Sequence, residues 1–281
     1  MRYRLLALDL DGTLLQRDGS VHPRDLAAIA RVKAAGVAVT ICTGRLYSGS
    51  RHVAEQLQLE GPLGCVDGSQ VMLHSAGGGT SLQLTALRGD HALQLRELLG
   101  RREAARFFVA GDRIVHDAAG ALFTPYVKTW TGTLEQTEDL HAHPLWEDAA
   151  GVLSAIVIGR MVDIDATAAE IRAELGAHAH LISFPLTRFE GMGGMVVRAA
   201  GRTKGTALTT IGAHLGIGVD EMVAVGDWFN DKPMFEVVGR SFAMKSAPED
   251  VQALATDQVQ CELAEGGVAE VIERVFSSGA P

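Results

Sequence analysis

LLALDLDGT, residues 5–13, decides the fold, because an apolar run ends there in two aspartates and a glycine. Side chains alternate along a β-strand, so the spacing of Asp9 and Asp11 points both carboxylates to one side, where the strand ends. Two like charges this close repel each other unless a cation or a shared proton offsets the repulsion. Mg²⁺ fits this role, since it prefers oxygen ligands and is often held by one or two carboxylates and a substrate phosphate. The Asp-x-Asp pattern alone also fits a strand that ends in a polar turn.

The composition is that of a globular protein with room for one large domain or two smaller ones. Of its 281 residues 47% are hydrophobic and 21% charged, which allows a substantial core. The net charge of −9, without a basic cluster, makes nucleic acid and anionic membranes poor partner candidates. We expect neither a signal peptide nor a membrane span, because no apolar stretch reaches the ~20 residues of a membrane helix. The three scattered cysteines favour a cytoplasmic protein over a disulfide framework.

Both ends of the chain alternate between short apolar strands and helices. The expected strands are residues 4–10, 37–41, 195–198, 222–225 and 240–244, and the expected helices include 23–36, 48–59, one capped by Thr203, and one with Val268, Val271, Ile272 and Val275 on a single face. Short buried strands that alternate with helices predict a parallel sheet with right-handed crossovers. Residues 246–249, SAPE, fit a capping box with proline in the first helical turn.

The pattern changes after the glycines at 77–79. A helix at 91–101 is then mixed with hairpin-like strands at 106–109, 113–116 and 153–158. We therefore expect the α/β class: a Rossmann-like parallel-sheet core domain, residues 1–82 and 187–281, with an inserted α+β domain, residues 83–186.

Polar motifs follow the apolar runs of the expected core. They are Asp9 with Asp11, Thr43-Gly44, Asp67-Gly68, and Asp227 with Asn230-Asp231, while Lys204 begins a helix. In an open parallel sheet, ligands bind beyond the carboxyl ends of the strands. Each motif alone fits an ordinary turn or a solvated side chain, but all of them at one edge of one sheet predict a binding site.

With these motifs the chain resembles the haloacid dehalogenase (HAD) superfamily, in particular the Cof-type phosphatases with a large α/β cap. The matching segments are DLDGT (9–13), TGR (43–45), KG (204–205) and GDWFND (226–231), with similarity also at 242–248 and 267–269. They frame almost the whole chain, and the cap is identified by position and size. Three departures are Asp67-Gly68 in place of the common Asn-Gly, Lys245 in place of a glycine, and the glycine-rich segment 190–194.

The resemblance implies a Mg²⁺-dependent hydrolase of small phosphorylated metabolites, sugar phosphates or similar compounds, that works through an aspartyl-phosphate. Asp9 is the expected nucleophile and Asp11 the expected general acid and base. The expected Mg²⁺ ligands are Asp9, Asp11 through its backbone carbonyl, Asp227 and Asp231. The expected phosphate- and substrate-binding residues are Thr43, Gly44, Arg45, Lys204 and Asn230. Arg45 and Asp67 are candidate specificity residues.

Two other functions remain open at this point. A phosphomutase of the same superfamily shares the two aspartates but needs a bisphosphate activator and releases little phosphate, and a non-catalytic phospho-ligand binding protein is the third hypothesis. The histidine pairs 141/143 and 178/180 are expected to be surface or loop residues without a metal. The sequence carries no signal for an oligomeric state.

Overall fold

The computed structural model describes residues 2–186 and 189–276. Its strands are β1 (Leu5–Leu8), β2 (Ala38–Ile41), β3 (Gly61–Cys65), β4 (Gln70–Ser75), β5 (Gly78–Leu84), β6 (Ala105–Ala110), β7 (Arg113–His116), β8 (Leu134–Gln136), β9 (Val152–Arg160), β10 (Ala179–Pro185), β11 (Met192–Ala199), β12 (Met222–Gly226), β13 (Arg240–Ala243) and β14 (Asp257–Gln258). Its α-helices are α1 (Pro23–Ala34), α2 (Tyr47–Gln56), α3 (Gly89–Gly100), α4 (Thr124–Val127), α5 (Met161–Leu175), α6 (Lys204–Leu215), α7 (Lys232–Val237), α8 (Glu249–Gln252) and α9 (Gly267–Phe276).

The chain forms two compact units. Unit 1 contains the residues up to Gly44, Ser50–Gln83, and those from Arg202 onward. Its main sheet has the strand order β14-β13-β12-β1-β2, and every neighbouring pair is parallel. Strand β1, which lies between β12 and β2, is buried along its whole length, which is why it reads as a continuous apolar run. The predicted α/β class and parallel core sheet are confirmed.

Helices pack as two pairs in unit 1, α1 with α9 and α6 with α7. Proline occupies the first turn of α1, where its missing N–H breaks no intrahelical bond. In α9 most of the expected apolar face is buried, with Val268 and Val271 fully inaccessible and Ile272 4% exposed, whereas Val275 is partly exposed. A smaller sheet, β3-β4-β5, completes unit 1. Cys42, just after β2, forms a parallel bridge to Gly64 of β3.

Unit 2 contains residues 45–49 and Leu84–Gly201. Its sheet has the order β10-β11-β9-β6-β7-β8, antiparallel except between β7 and β8. Side chains of the sheet pack with α3 and α5 around a separate core that includes Leu95, Phe108, Ala155, Ile171 and Val197. Unit 2 therefore has the mixed α+β character expected of the inserted domain.

The strand expected at 195–198 lies in a different sheet from the one predicted. It is part of β11, which pairs antiparallel with β9 and β10 of unit 2, and Met195 lies between Val157 and Ser183. Unit 2 accordingly extends to Gly201, beyond the expected end of the insert at residue 186. The physical reason is that a short apolar strand fits either sheet equally well, and only its neighbours decide the pairing.

The capping box predicted at 246–249 is also wrong. Helix α8 begins at Glu249 with Pro248 at its N-cap, and no side chain caps it. Ser246 lies in the preceding turn, which the Ala247 N–H closes by donating to the Met244 carbonyl at 3.0 Å. Among the residues that the structure describes, no helix combines the length and apolar character needed to cross a membrane.

Candidate active site

The two aspartates after β1 lie in different environments. Asp9 continues the pairing of β1 with β12, since its N–H donates to the Val225 carbonyl at 3.0 Å, and its side chain is only 5% exposed. Asp11 is exposed and forms a short bridge to Leu15. A buried carboxylate and a water-accessible one thus stand two residues apart in the chain.

Lys204 is a buried cation in unit 1. Thr203 caps α6 by accepting a hydrogen bond from the Thr206 N–H at 3.2 Å, and this cap positions Lys204 in the first turn. The lysine is 1% exposed, and its Nζ donates to Asp9 Oδ1 and to Asp231 Oδ1 at 2.6 Å each. Burial alone lowers a lysine pKa, but here the carboxylates of Asp231 and Asp9 outweigh it and hold the pKa of Lys204 well above its usual range.

The loop after β12 folds around Asp231. The Asp231 Oδ2 atom accepts hydrogen bonds from the N–H groups of Asp227 and Trp228, both at 2.9 Å. Gly226 permits this close return, because a Cβ there would lie 2.5 Å from the Asp231 Cγ. One carboxylate therefore both orders the loop and binds the lysine.

Asp227 is held in place by residues of the first motif, Gly12 and Thr13. The Thr13 hydroxyl donates to Asp227 Oδ1 at 3.1 Å. Gly12 has a φ of +88°, and a Cβ at this position would lie 2.2 Å from Asp227 Oδ2. The glycine of Asp-x-Asp-Gly-Thr is thus required by backbone conformation and by close approach together.

Asp9, Asp227 and Asp231 form the carboxylate cluster of the site, with oxygen atoms within 4.8 Å of one another. Burial raises the pKa of Asp9 well above its usual value; Lys204 offsets part of this, while Asp231 and Asp227 add to it. Burial likewise raises the pKa of Asp227 to about 7, with Asp231 adding to the shift. When all three carboxylates are ionised, the cluster carries more negative charge than one lysine balances. A divalent cation with a preference for oxygen ligands fits this donor set.

The second motif lies beside the turn that contains Asp67. Thr43 is buried at the end of β2, and its N–H donates to the Gly64 carbonyl at 2.9 Å. Gly44 is exposed, and a Cβ on it would lie 3.5 Å from Asp67 Oδ1. Thr43 and Gly44 therefore belong to unit 1 with the carboxylate cluster.

Arg45 and Asn230 have partners that the sequence did not predict. Arg45 belongs to unit 2, is 5% exposed, and donates from its guanidinium to the Gly49 carbonyl at 3.3 Å. Asn230, an expected phosphate- or substrate-binding residue, donates from its Nδ2 to Asp67 Oδ1 at 2.8 Å. Sequence reasoning also missed the contact of Thr13, although its signal was the threonine directly after Asp-x-Asp-Gly.

His143, His178 and Cys42 lie outside the motifs. His143 Nε2 lies 3.0 Å from a Glu135 oxygen, and His178 stacks on His91 with ring centroids 4.0 Å apart. Burial raises the pKa of the Cys42 thiol, so this side chain is a packing group rather than a thiolate.

The chain is similar to known proteins over most of its length. The family model described as haloacid dehalogenase-like hydrolase matches residues 6–272. A relative named HMP-PP phosphatase from Escherichia coli O8 (strain IAI1) is 29% identical over 251 residues, which cover 89% of this chain and 87% of the relative.

Solved structures show the same fold. A haloacid dehalogenase-like hydrolase from Bacteroides thetaiotaomicron superposes with a TM-score of 0.82 at 22% identity, covering 98% of this chain and 100% of the other. A HAD subclass IIB sugar phosphatase superposes with a TM-score of 0.76 at 17% identity, covering 96% of this chain and 98% of the other.

Proposed function

We propose, since the chain belongs to the haloacid dehalogenase-like hydrolase family, that this enzyme is a Mg²⁺-dependent phosphatase of small phosphorylated metabolites. The observation that carries the proposal is the buried Lys204, whose Nζ joins Asp9 to Asp231 at 2.6 Å each beside Asp227. A carboxylate is a modest nucleophile and a phosphate ester is an anion, so positive charge must be present before the two can meet.

The oxygen atoms of the site support Mg²⁺ as the source of this positive charge. Asp9, Asp227 and Asp231 supply the oxygen atoms that lie within 4.8 Å of one another, and the family pattern adds the backbone carbonyl of Asp11. When bound, Mg²⁺ supplies charge neutralisation and orientation of the phosphate.

The reaction we propose has two steps. In the first, the Asp9 carboxylate attacks phosphorus, the bond from phosphorus to the leaving oxygen breaks, and Asp11 gives that oxygen a proton. In the second, Asp11 takes a proton from water, whose oxygen attacks the aspartyl-phosphate and releases phosphate and the free Asp9 carboxylate. The exposure of Asp11 supports this role, because the residue must exchange protons with the leaving group and with water.

We propose that the second motif, at Thr43 and Gly44, and the third motif, at Lys204, bind the phosphate oxygens of the substrate. The Thr43 hydroxyl, the Gly44 N–H and the Lys204 ammonium hold them, Asn230 keeps the loop after β12 in place, and Arg45 is a candidate contact to the substrate. We propose that unit 2 acts as the cap domain of such hydrolases. The domain limits we now favour follow the compact units rather than the expected boundary at residue 187.

The substrate class we propose is sugar phosphates or similar small phosphate esters. The name of one structural neighbour, sugar phosphatase, supports this class, and the relative named HMP-PP phosphatase supports phosphatase activity. The net charge of −9 supports neither nucleic acid nor an anionic membrane as a partner. The scattered cysteines support the cytoplasm as its compartment.

The test is phosphate release from a panel of sugar phosphates, nucleotides and pyridoxal phosphate, with and without Mg²⁺ and without a bisphosphate. We expect release by the wild type with Mg²⁺, and none by Asp9→Asn, which keeps the shape of the side chain but removes the nucleophile. Asp18→Asn, the same change at an exposed aspartate, is the matched control.

Three outcomes would contradict the proposal. Full release by Asp9→Asn excludes the covalent route, and activity in a chelator excludes the metal. Turnover only with a bisphosphate activator, with little free phosphate, identifies a phosphomutase instead.

A further inference from the structure

Three consecutive residues between β3 and β4 adopt left-handed backbone conformations. The φ values are 48° at Val66, 48° at Asp67 and 91° at Gly68. Glycine adopts such angles freely and aspartate tolerates them, but for a β-branched residue such as valine they are rare. Backbone strain of this kind persists only where the surrounding structure holds it, and it is concentrated at functional sites.

The surroundings of this turn are the elements of the proposed phosphatase site. The Asp67 N–H donates to the Thr43 carbonyl at 3.0 Å. Gly68 packs so closely against the N-cap of α6 that a Cβ on it would lie 2.1 Å from the Thr203 carbonyl oxygen. The Asp67 Oδ1 atom accepts the hydrogen bond from Asn230 at 2.8 Å.

Asp67 thereby joins the end of β2 to the loop after β12, two segments far apart in the chain. Asn230 immediately precedes Asp231, the residue that binds Lys204 and orders the N–H groups of Asp227 and Trp228. A group that holds Asn230 therefore holds the short turn on which Asp231 is presented. Burial lowers the pKa of Lys204, and the negative charge of Asp67 raises it together with the charges of Asp231 and Asp9.

A carboxylate at this place has a cost. The site already contains the carboxylates of Asp9, Asp227 and Asp231, and a further negative charge nearby repels them. An asparagine would accept the same hydrogen bond without that repulsion. The hydrogen bond, together with the strained turn, is the feature that distinguishes Asp67 from an ordinary loop residue.

We propose that Asp67 is a positioning residue of the metal site. By accepting the hydrogen bond from Asn230, it fixes the turn that carries Asp231. This inference rests on the proposed function only in the identity of the metal. It assigns to Asp67 no contact with Mg²⁺ and no part in the chemistry.

Two substitutions distinguish the loss of the hydrogen-bond acceptor from a change in backbone conformation, because both new residues tolerate a left-handed φ. Asp67→Asn keeps a carbonyl oxygen that accepts from Asn230, whereas Asp67→Gly removes the acceptor and relieves the backbone strain at residue 67. The probe is Mg²⁺ alone, titrated calorimetrically into metal-free protein without substrate. We expect Asp67→Gly to bind Mg²⁺ about 10- to 100-fold more weakly, the usual cost of losing a partner that orients a ligand, and Asp67→Asn to stay within about threefold of wild type.

Thermal unfolding of the metal-free proteins supplies the second measurement. A residue that serves only the fold would lose stability on substitution, but Asp67→Gly should unfold close to the temperature of wild type, because the strain relieved at residue 67 offsets the greater freedom of glycine in the unfolded chain. In an Asn230→Ala background, Asp67→Gly should have no further effect on Mg²⁺ affinity, since both changes break one bridge.

The inference is overturned if Asp67→Gly binds Mg²⁺ as wild type does, if Asp67→Asn is impaired equally, or if the effects of the Asp67 and Asn230 substitutions add. Failure of the proposed function is separate from these outcomes. A wild type that binds Mg²⁺ but releases phosphate from no ester contradicts the phosphatase, while the Mg²⁺ titrations still decide the role of Asp67.

Discussion

Lys204 shows how much of this site depends on single residues. Its side chain is 1% exposed, and its ammonium group contacts two carboxylates that are themselves almost inaccessible to water. Removing one member of a buried charge cluster leaves the remaining charges without compensation, which is more costly than losing the attraction alone. The same lysine is the fixed positive charge nearest to the proposed nucleophile.

Lys204→Met should therefore reduce both turnover and stability. We expect the rate of phosphate release to fall on the order of 100- to 1000-fold, as when one preorganised charge-stabilising group is lost. The free energy of unfolding should fall by about 3–5 kcal/mol, because Asp9 and Asp231 lose their shared cation.

Lys245→Met is the matched control, because that lysine is about half exposed and contacts Glu262 at 2.8 Å on the surface. The unfolding free energy of this variant should stay close to that of wild type, because an exposed ion pair contributes little to stability. Steady-state kinetics and urea unfolding measure both effects. Equal behaviour of the two variants would place Lys204 outside the chemistry.

At the scale of elements, the contact between α1 and α9 depends on a buried carboxylate. Asp25 in the first turn of α1 is fully buried, and its Oδ1 accepts a hydrogen bond from the Ala269 N–H at 2.7 Å. Within the described chain, its Oδ2 atom has no hydrogen-bond partner. Burial raises the pKa of Asp25 to about 6, although the N–H of Ala269 at the start of α9 opposes the shift.

This raised pKa makes stability depend on pH in a definite direction. The folded state binds the proton more tightly than the unfolded state, whose pKa is near 3.8. The stabilisation is thus fully present below about pH 4 and is lost as the pH rises through about 6. Asp25→Asn cannot ionise and so does not lose it.

The unfolding free energy of Asp25→Asn relative to wild type should increase by about 2.5 kcal/mol between pH 4 and pH 7, which is most of the roughly 3 kcal/mol expected at about 1.4 kcal/mol for each pKa unit. Chemical denaturation at several pH values measures the difference. Asp18→Asn is the control of opposite sign, because the Ser20 hydroxyl lowers the pKa of Asp18. A difference for Asp25→Asn that stays constant over this range would show that Asp25 titrates alike in both states.

At the scale of the whole molecule, the chain builds two cores and concentrates the carboxylate cluster in one of them. Asp9, Asp227 and Asp231 all belong to unit 1, while the sheet of unit 2 has its own apolar cluster. A ligand that binds the folded state stabilises it in proportion to the logarithm of its concentration. The effect should be confined to the unit that binds it.

Mg²⁺ at about 100 times its dissociation constant should stabilise unit 1 by about 2.7 kcal/mol, and a chelator should reverse the effect. Hydrogen exchange with mass spectrometry locates the change. We expect slower exchange in peptides that contain β1 and β12, and unchanged exchange in those that contain β6 and β9. Equal protection of both units, or none, would contradict the assignment of the metal site.

The sequence by itself determined the parallel core, the strand ends that carry the motifs, and the family. These are local properties, since burial on both faces makes a strand uniformly apolar, and a polar motif at its end is visible without any partner. Only the tertiary structure decided which residues meet. Lys204 reaches Asp9 across 195 residues, and Asn230 reaches Asp67 across 163. The pairing of β11 with β9 and β10 was decided in the same way. The local spacing of apolar and polar residues does not identify the distant residues that they contact, because packing in three dimensions selects those partners.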